Sequence, residues 1–148
     1  MIYKTRRNGA VVRSTTDLEL CDNVFIANRE REWSEDVKFN DYQAVVDLCV
    51  GELLSTCENM RVQRNIVAGA TGVAFTAPAG DCTSDESETK TINTFLDNQA
   101  HSVEAGLISM MNNALDMPYC GLINNFKAHH CQEVGIMSRF NFNDLIVR

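Results

Sequence analysis

Apolar residues recur along this chain at two spacings, and the two predict different elements. At the start, Ile2-Tyr3-Lys4-Thr5-Arg6-Arg7 and Ala10-Val11-Val12-Arg13 flank Asn8-Gly9. Asn-Gly accepts the two positive φ angles of a type I′ turn, so the segment predicts a β-hairpin. From Asn40 or Asp41, either of which could cap a helix, Val46, Cys49, Val50, Leu53, Cys57 and Met60 recur at helical steps, with Asp47, Glu52 and Glu58 opposite. That pattern predicts an amphipathic helix of about five turns, running towards Ile66. The strongest periodicity lies between 88 and 117. Leu96, Ala100, Val103, Leu107, Met110, Ala114 and Met117 alternate steps of four and three, and Pro118 ends the run. A helix close to 30 residues long is expected, packed inside a bundle or against a second subunit. A third helix is expected over 119–134, with Leu122, Ile123, Phe126 and His130 inward and Gly135 at C′.

Two stretches lack helical spacing. Thr16 with Glu19 would fit a capping box, whereas Asn23–Ala27 would equally fit a strand, so 17–27 stays open between helix and strand. The tail alternates polar and aromatic residues from Ser138 to Asp144 before Leu145-Ile146-Val147, the pattern of a strand with one buried face. The fold class read from these elements is α+β and mostly helical. An N-terminal β-hairpin and a C-terminal strand pack on about three main helices, one of them the long helix near 88–117.

With 148 residues, the chain suits a single domain over 1–148, and 45% hydrophobic with 22% charged residues is globular composition. No apolar stretch approaches the ~20 residues a membrane helix needs, and the N-terminus has no apolar signal core. The expected location is therefore the cytoplasm or an assembled particle rather than classical export. The net charge of −7 is unevenly spread. Lys4, Arg6, Arg7 and Arg13 stand without an acid among the first thirteen residues, while eleven acids crowd 14–60. An acidic body gains little from phosphate neutralisation, so nucleic acid is a poor partner except along the basic N-terminal strip.

Candidate chemistry is sparse. The glycine-rich stretch Gly69–Gly80 has neither GxGxxG order nor Gly-Lys-Ser/Thr, and acids follow it, which argues against a phosphate loop. Asp81, Thr83, Asp85 and Ser87 lack the glycine and closing glutamate of a calcium loop. Six cysteines are irregularly spaced with no CxxC, which in a reducing compartment reads mainly as buried free thiols. His101 lies between Asp97 and Glu104, and His129, His130, Cys131 and Glu133 form the densest reactive cluster. On a helix, adjacent His130 and Cys131 would point about 100° apart, and His129 with Glu133 would supply half a metal site. Asparagine, at 14 residues, suggests uncharged polar contacts with a partner.

No residue set reaches a catalytic, cofactor or metal assignment, so none is made. The leading expectation is a non-enzymatic assembly or interaction protein with protein partners, as a homo-oligomer or a subunit of a viral (phage-like) or other particle. Its contacts would use Lys4, Arg6, Arg7 and Arg13 together with Leu96, Val103, Leu107 and Met110. The alternatives are a small metal- or thiol-dependent enzyme using His101, His129, His130 and Cys131, and a nucleic-acid-associated regulator using the basic hairpin.

Overall fold

The computed structural model describes residues 1–3, 9–12, 15–26, 44–48, 57–78, 91–110 and 119–138. Those residues contain no helix: all regular structure is strand, and the pairing is parallel. The mostly helical α+β expectation is therefore wrong. The supposed long helix near 88–117 is, over its described residues 91–110, three strands and the turns between them. The two shorter predicted helices give way to strands as well. Ile2–Tyr3 (β1) and Ala10–Val12 (β2) are strands as expected, but they do not pair with each other as a hairpin. β1 runs beside Val24–Ile26 (β5), and β2 beside Ala44–Leu48 (β6), both in parallel. The C-terminal strand expected over 138–147 lies, beyond Ser138, outside the described residues.

The chain winds as a parallel β-solenoid with three long sheets. Sheet I joins Glu19–Cys21 (β4), Arg61–Gln63 (β8), Thr91–Leu96 (β11) and Tyr119–Asn124 (β14). Sheet II joins β1, β5, Ile66–Ala68 (β9), Gln99–His101 (β12) and Lys127–His129 (β15). Sheet III joins β2, β6, Val73–Pro78 (β10), Ala105–Met110 (β13) and Val134–Ser138 (β16). A short pair, Thr15–Thr16 (β3) with Cys57–Glu58 (β7), precedes sheet I in two rungs. Each rung passes from sheet I to II to III and returns one strand spacing further on, about 4.8 Å. Equivalent residues are separated by 42 residues from Asn23 to Asn65, 33 from Asn65 to Asn98 and 28 from Asp97 to Asn125.

The corner between sheets I and II is the same in four rungs. A residue at positive φ turns the chain outward: Asp22 (59°), Arg64 (53°), Asp97 (55°) and Asn125 (52°). Asp and Asn tolerate this conformation through local hydrogen bonding, whereas an arginine does so at a steric cost. The next residue points inward, and in three rungs it is asparagine. Asn65 Oδ1 accepts the backbone N–H of Asn23 at 3.1 Å and its side-chain amide at 3.1 Å. Asn65 Nδ2 donates to the Leu20 carbonyl at 2.8 Å and to Asn98 Oδ1 at 3.0 Å. Asn98 repeats the grip on the rung before it, accepting from the Asn65 backbone N–H and donating to the Val62 carbonyl. The turn leaves backbone groups without a ladder partner in the interior, and a stacked amide supplies both donor and acceptor. Asn93 does the same at the corner between β7 and β8, bonding the Met60 N–H and the Cys57 carbonyl.

Inside, columns of like residues stack from rung to rung. Leu20, Val62, Phe95 and Ile123 stand in register on sheet I, and Phe25, Val67, Ala100 and Ala128 do so on sheet II. Phe126 takes the inward position after Asn98, where its ring meets Phe75 edge-on at 5.9 Å and Phe95 at 5.8 Å. Sheets II and III draw close at the last two rungs. There a Cβ on Gly106 would press against the Gly135 carbonyl oxygen and Ala128 Cβ, so only hydrogen fits. The middle strands of sheet III are withdrawn from solvent on both faces, and Asp47 is among the buried residues, accepting a 2.9 Å bond from Thr76 Oγ1.

Candidate functional site

Where the sequence placed reactive side chains on separate helices, the solenoid brings them to one corner. His101 ends β12 and His129 ends β15, and the two are register partners on neighbouring rungs. His130 follows at positive φ (52°), the position that Ser102 (52°) and Gly69 (69°) hold one and two rungs earlier. The three imidazoles, all the chain has, are exposed. The His101 ring lies 5.3 Å from that of His130 and 6.5 Å from that of His129, centroid to centroid. Ser102 Oγ sits at hydrogen-bond distance, 2.8 Å, from His101 Nδ1. Beside them on the outer face of sheet II, Gln99 is paired in register with Lys127.

Cys131 behaves differently. It is half-buried against the interior cluster, and burial pushes its thiol up from the ordinary range. A thiol turned inward, next to a histidine on an exposed corner, lacks the electropositive and accessible setting that makes a nucleophilic thiolate. Cys21, also a free thiol, is pushed up by burial and by the Glu19 carboxylate. Cys57 is buried and disulfide-bonded, a departure from the expected set of mainly free thiols. Among the described residues no three His, Cys, Asp or Glu side chains are grouped to hold a metal ion. A pocket lined by Leu48, Met60, Val62, Asn93, Phe95 and Leu122, among others, carries no titratable side chain.

The residues expected to form contacts are dispersed. Lys4, Arg6, Arg7 and Arg13 fall outside the described residues. Leu96 is a half-buried outward residue of sheet I, whereas Val103 and Leu107 are fully buried interior residues. Met110 ends β13. The supposed apolar seam is thus cut into three strands and a turn.

A second feature appears at the ends of the coil. In the third complete rung Ala100, Val103 and Leu107 are 0% exposed. Their successors Ala128, Cys131 and Ile136 are only partly buried against the core. At the opposite end Phe25 and Val46 are 0% exposed, while Ile2, Ala10 and Val12 are partly buried and Val11 is 46% exposed. The inward columns of sheets II and III are thus less covered at both ends, whereas Ile123 on sheet I and Phe126 stay buried in the last rung.

The asparagine ladder was missed by sequence reasoning, although a signal for it exists. Leu20-Cys21-Asp22-Asn23-Val24-Phe25, Val62-Gln63-Arg64-Asn65-Ile66-Val67 and Phe95-Leu96-Asp97-Asn98-Gln99-Ala100 share one order: apolar, any, charged, Asn, any, apolar. The asparagines read as partner contacts are, at 23, 65 and 98, internal fasteners. No helix of the described residues is long and apolar enough to cross a membrane. Nothing in the fold supports the viral-particle role or a helical description. No protein-family model matches the chain, and neither do any of the curated proteins or solved structures compared with it.

Proposed function

We propose that the chain is an interaction module that associates end to end with a second copy of itself. The observation that carries this reading is the loss of cover on the inward columns of sheets II and III at both ends, where Ala128, Cys131 and Ile136 at one end and Ile2, Ala10 and Val12 at the other are only partly buried. Edge strands expose backbone donors and acceptors, and stacked repeats bury their apolar faces only against a neighbouring repeat. Because all three sheets are parallel, the β1 and β2 edges of one copy offer the same strand direction that the β15 and β16 edges of another require. Such a contact is head-to-tail, and it builds open chains of copies rather than a closed pair.

Sedimentation velocity over rising protein concentration tests it. Progressive growth beyond the dimer is expected. Val11→Lys, which puts a charge on the exposed edge strand β2, should suppress that growth while leaving the melting temperature in place. A strict monomer at every concentration overturns the reading, as does association that Val11→Lys leaves untouched.

A further inference from the structure

From the corner between sheets II and III we infer a divalent transition-metal site held by His101 and His130. Imidazole nitrogens bind zinc at about 2.0–2.1 Å, and two such rings on one tetrahedral ion stand about 5 Å apart between centroids. The His101 and His130 rings are 5.3 Å apart, on consecutive rungs. The separation is set by the fold, since one histidine ends β12 and the other sits in the positive-φ turn after β15.

The second observation is the partner of His101. Ligating histidines usually hand their other ring nitrogen to a hydrogen-bond partner that fixes tautomer and orientation. Ser102 Oγ lies 2.8 Å from His101 Nδ1, and in the tautomer in which Nδ1–H donates to that hydroxyl, Nε2 carries the lone pair an ion would take. His129, the register partner of His101, is wider at 6.5 Å and stays outside the chelate as placed. Water fills the remaining positions, so the site is open in the manner of exchangeable rather than structural zinc. Imidazole favours zinc, nickel and copper over magnesium, which wants oxygen ligands.

Calorimetric titration of the whole protein with Zn²⁺ and with Ni²⁺ tests this, with Mg²⁺ as the control and Cys21→Ser/Cys131→Ser as the background that removes the two described free thiols. The expected result is saturable one-to-one binding of zinc and nickel, none of magnesium, and at least about a tenfold loss in His101→Ala and in His130→Asn, about 1.4 kcal/mol. Asparagine at 130 keeps a residue tolerant of positive φ, and both positions are exposed, so circular dichroism should show the folded state retained. His129→Ala should weaken binding less than either, and Ser102→Gly, which removes the hydroxyl while accepting positive φ, should weaken it while sparing the fold. Absence of saturable zinc binding overturns the site. So does binding that His101→Ala and His130→Asn leave unchanged, or that disappears in the serine background.

Discussion

Two corners of the same coil do opposite things with the same backbone problem. Between sheets I and II the chain always turns in two residues, one outward at positive φ and one inward, and asparagine closes the interior in three consecutive rungs. Between sheets II and III the turns are 69–72, 102–104 and 130–133 in the last three rungs, and their outward residues are Gly69, Ser102 and His130. The asparagine ladder does not extend to that corner. The first corner is fixed because its polar groups are buried, and each would cost free energy if left without its partner one rung away. The second buries Ala70 and Val103 in the core, but the residue at positive φ differs in each rung, being Gly69, Ser102 and His130. The histidines stand on that exposed side.

The comparison is broken most severely by emptying the fixed corner at its last rung. Phe126 is fully buried and packs against Phe75 and Phe95. Phe126→Ala should cost about 3–5 kcal/mol, read as a shift in the urea midpoint, because the ring is removed where three aromatic side chains meet.

Asn65→Ala sharpens it. That change strands the Asn23 backbone N–H, one N–H of its side-chain amide, the Leu20 carbonyl and one lone pair of Asn98. About 3 kcal/mol of stability should be lost. His101→Ala at the variable corner should shift stability by no more than about 0.5 kcal/mol, as for exposed positions generally. Equal losses at the two corners would erase the distinction.

The same contrast explains what could be read in advance. β1 and β2 were legible as strands flanking Asn8-Gly9, but the antiparallel hairpin that this turn signal predicts does not form, since each pairs in parallel with the next rung. The stretch around 88–117 was not legible, because a solenoid imitates a helix in one dimension. Inward positions of the third rung are Phe95, Asn98, Ala100, Val103 and Leu107, at steps of three, two, three and four. Short strands joined by two- and three-residue corners thus produce the threes and fours that normally report 3.6 residues per turn. The ladder asparagine then looks like a polar face, although it lies in the core. Rung separations of 42, 33 and 28 residues hide the repeat further, since no fixed period survives. The meeting of His101 with His130 was illegible for the same reason: it depends on which residues fall one rung apart, and that is set by the length of the connection over 111–118.

Gly106→Ala comes next in expected size. The new methyl group would meet the Gly135 carbonyl oxygen and Ala128 Cβ, both on the neighbouring rung. Backbone cannot yield as a flexible side chain would, and about 1–3 kcal/mol should be lost, seen as a lower melting temperature. The effect should be smaller than at Phe126, because β16 is the end strand of sheet III and can shift where cover is already incomplete.

The smallest effect belongs to the outer side of the fixed corner. Arg64 Nε and Nη2 each donate to one oxygen of the Asp22 carboxylate at 2.7 Å, joining two rungs across open solvent. Those bonds hold the Asp22 carboxyl below its ordinary value. A carboxylate more acidic in the folded than in the unfolded chain adds stability that is complete above the unfolded aspartate range and fades as pH falls through the lower native value. Asp22→Asn should therefore flatten a shallow part of the acid limb of stability against pH, and about 1 M salt should erase the same difference in the unmodified protein by screening the exposed pair. The inward ladder, one residue away at Asn23, should not respond to salt at all. A salt-dependent Asn65→Ala penalty would mean that the corner is held from outside by charge rather than from inside by stacked amides.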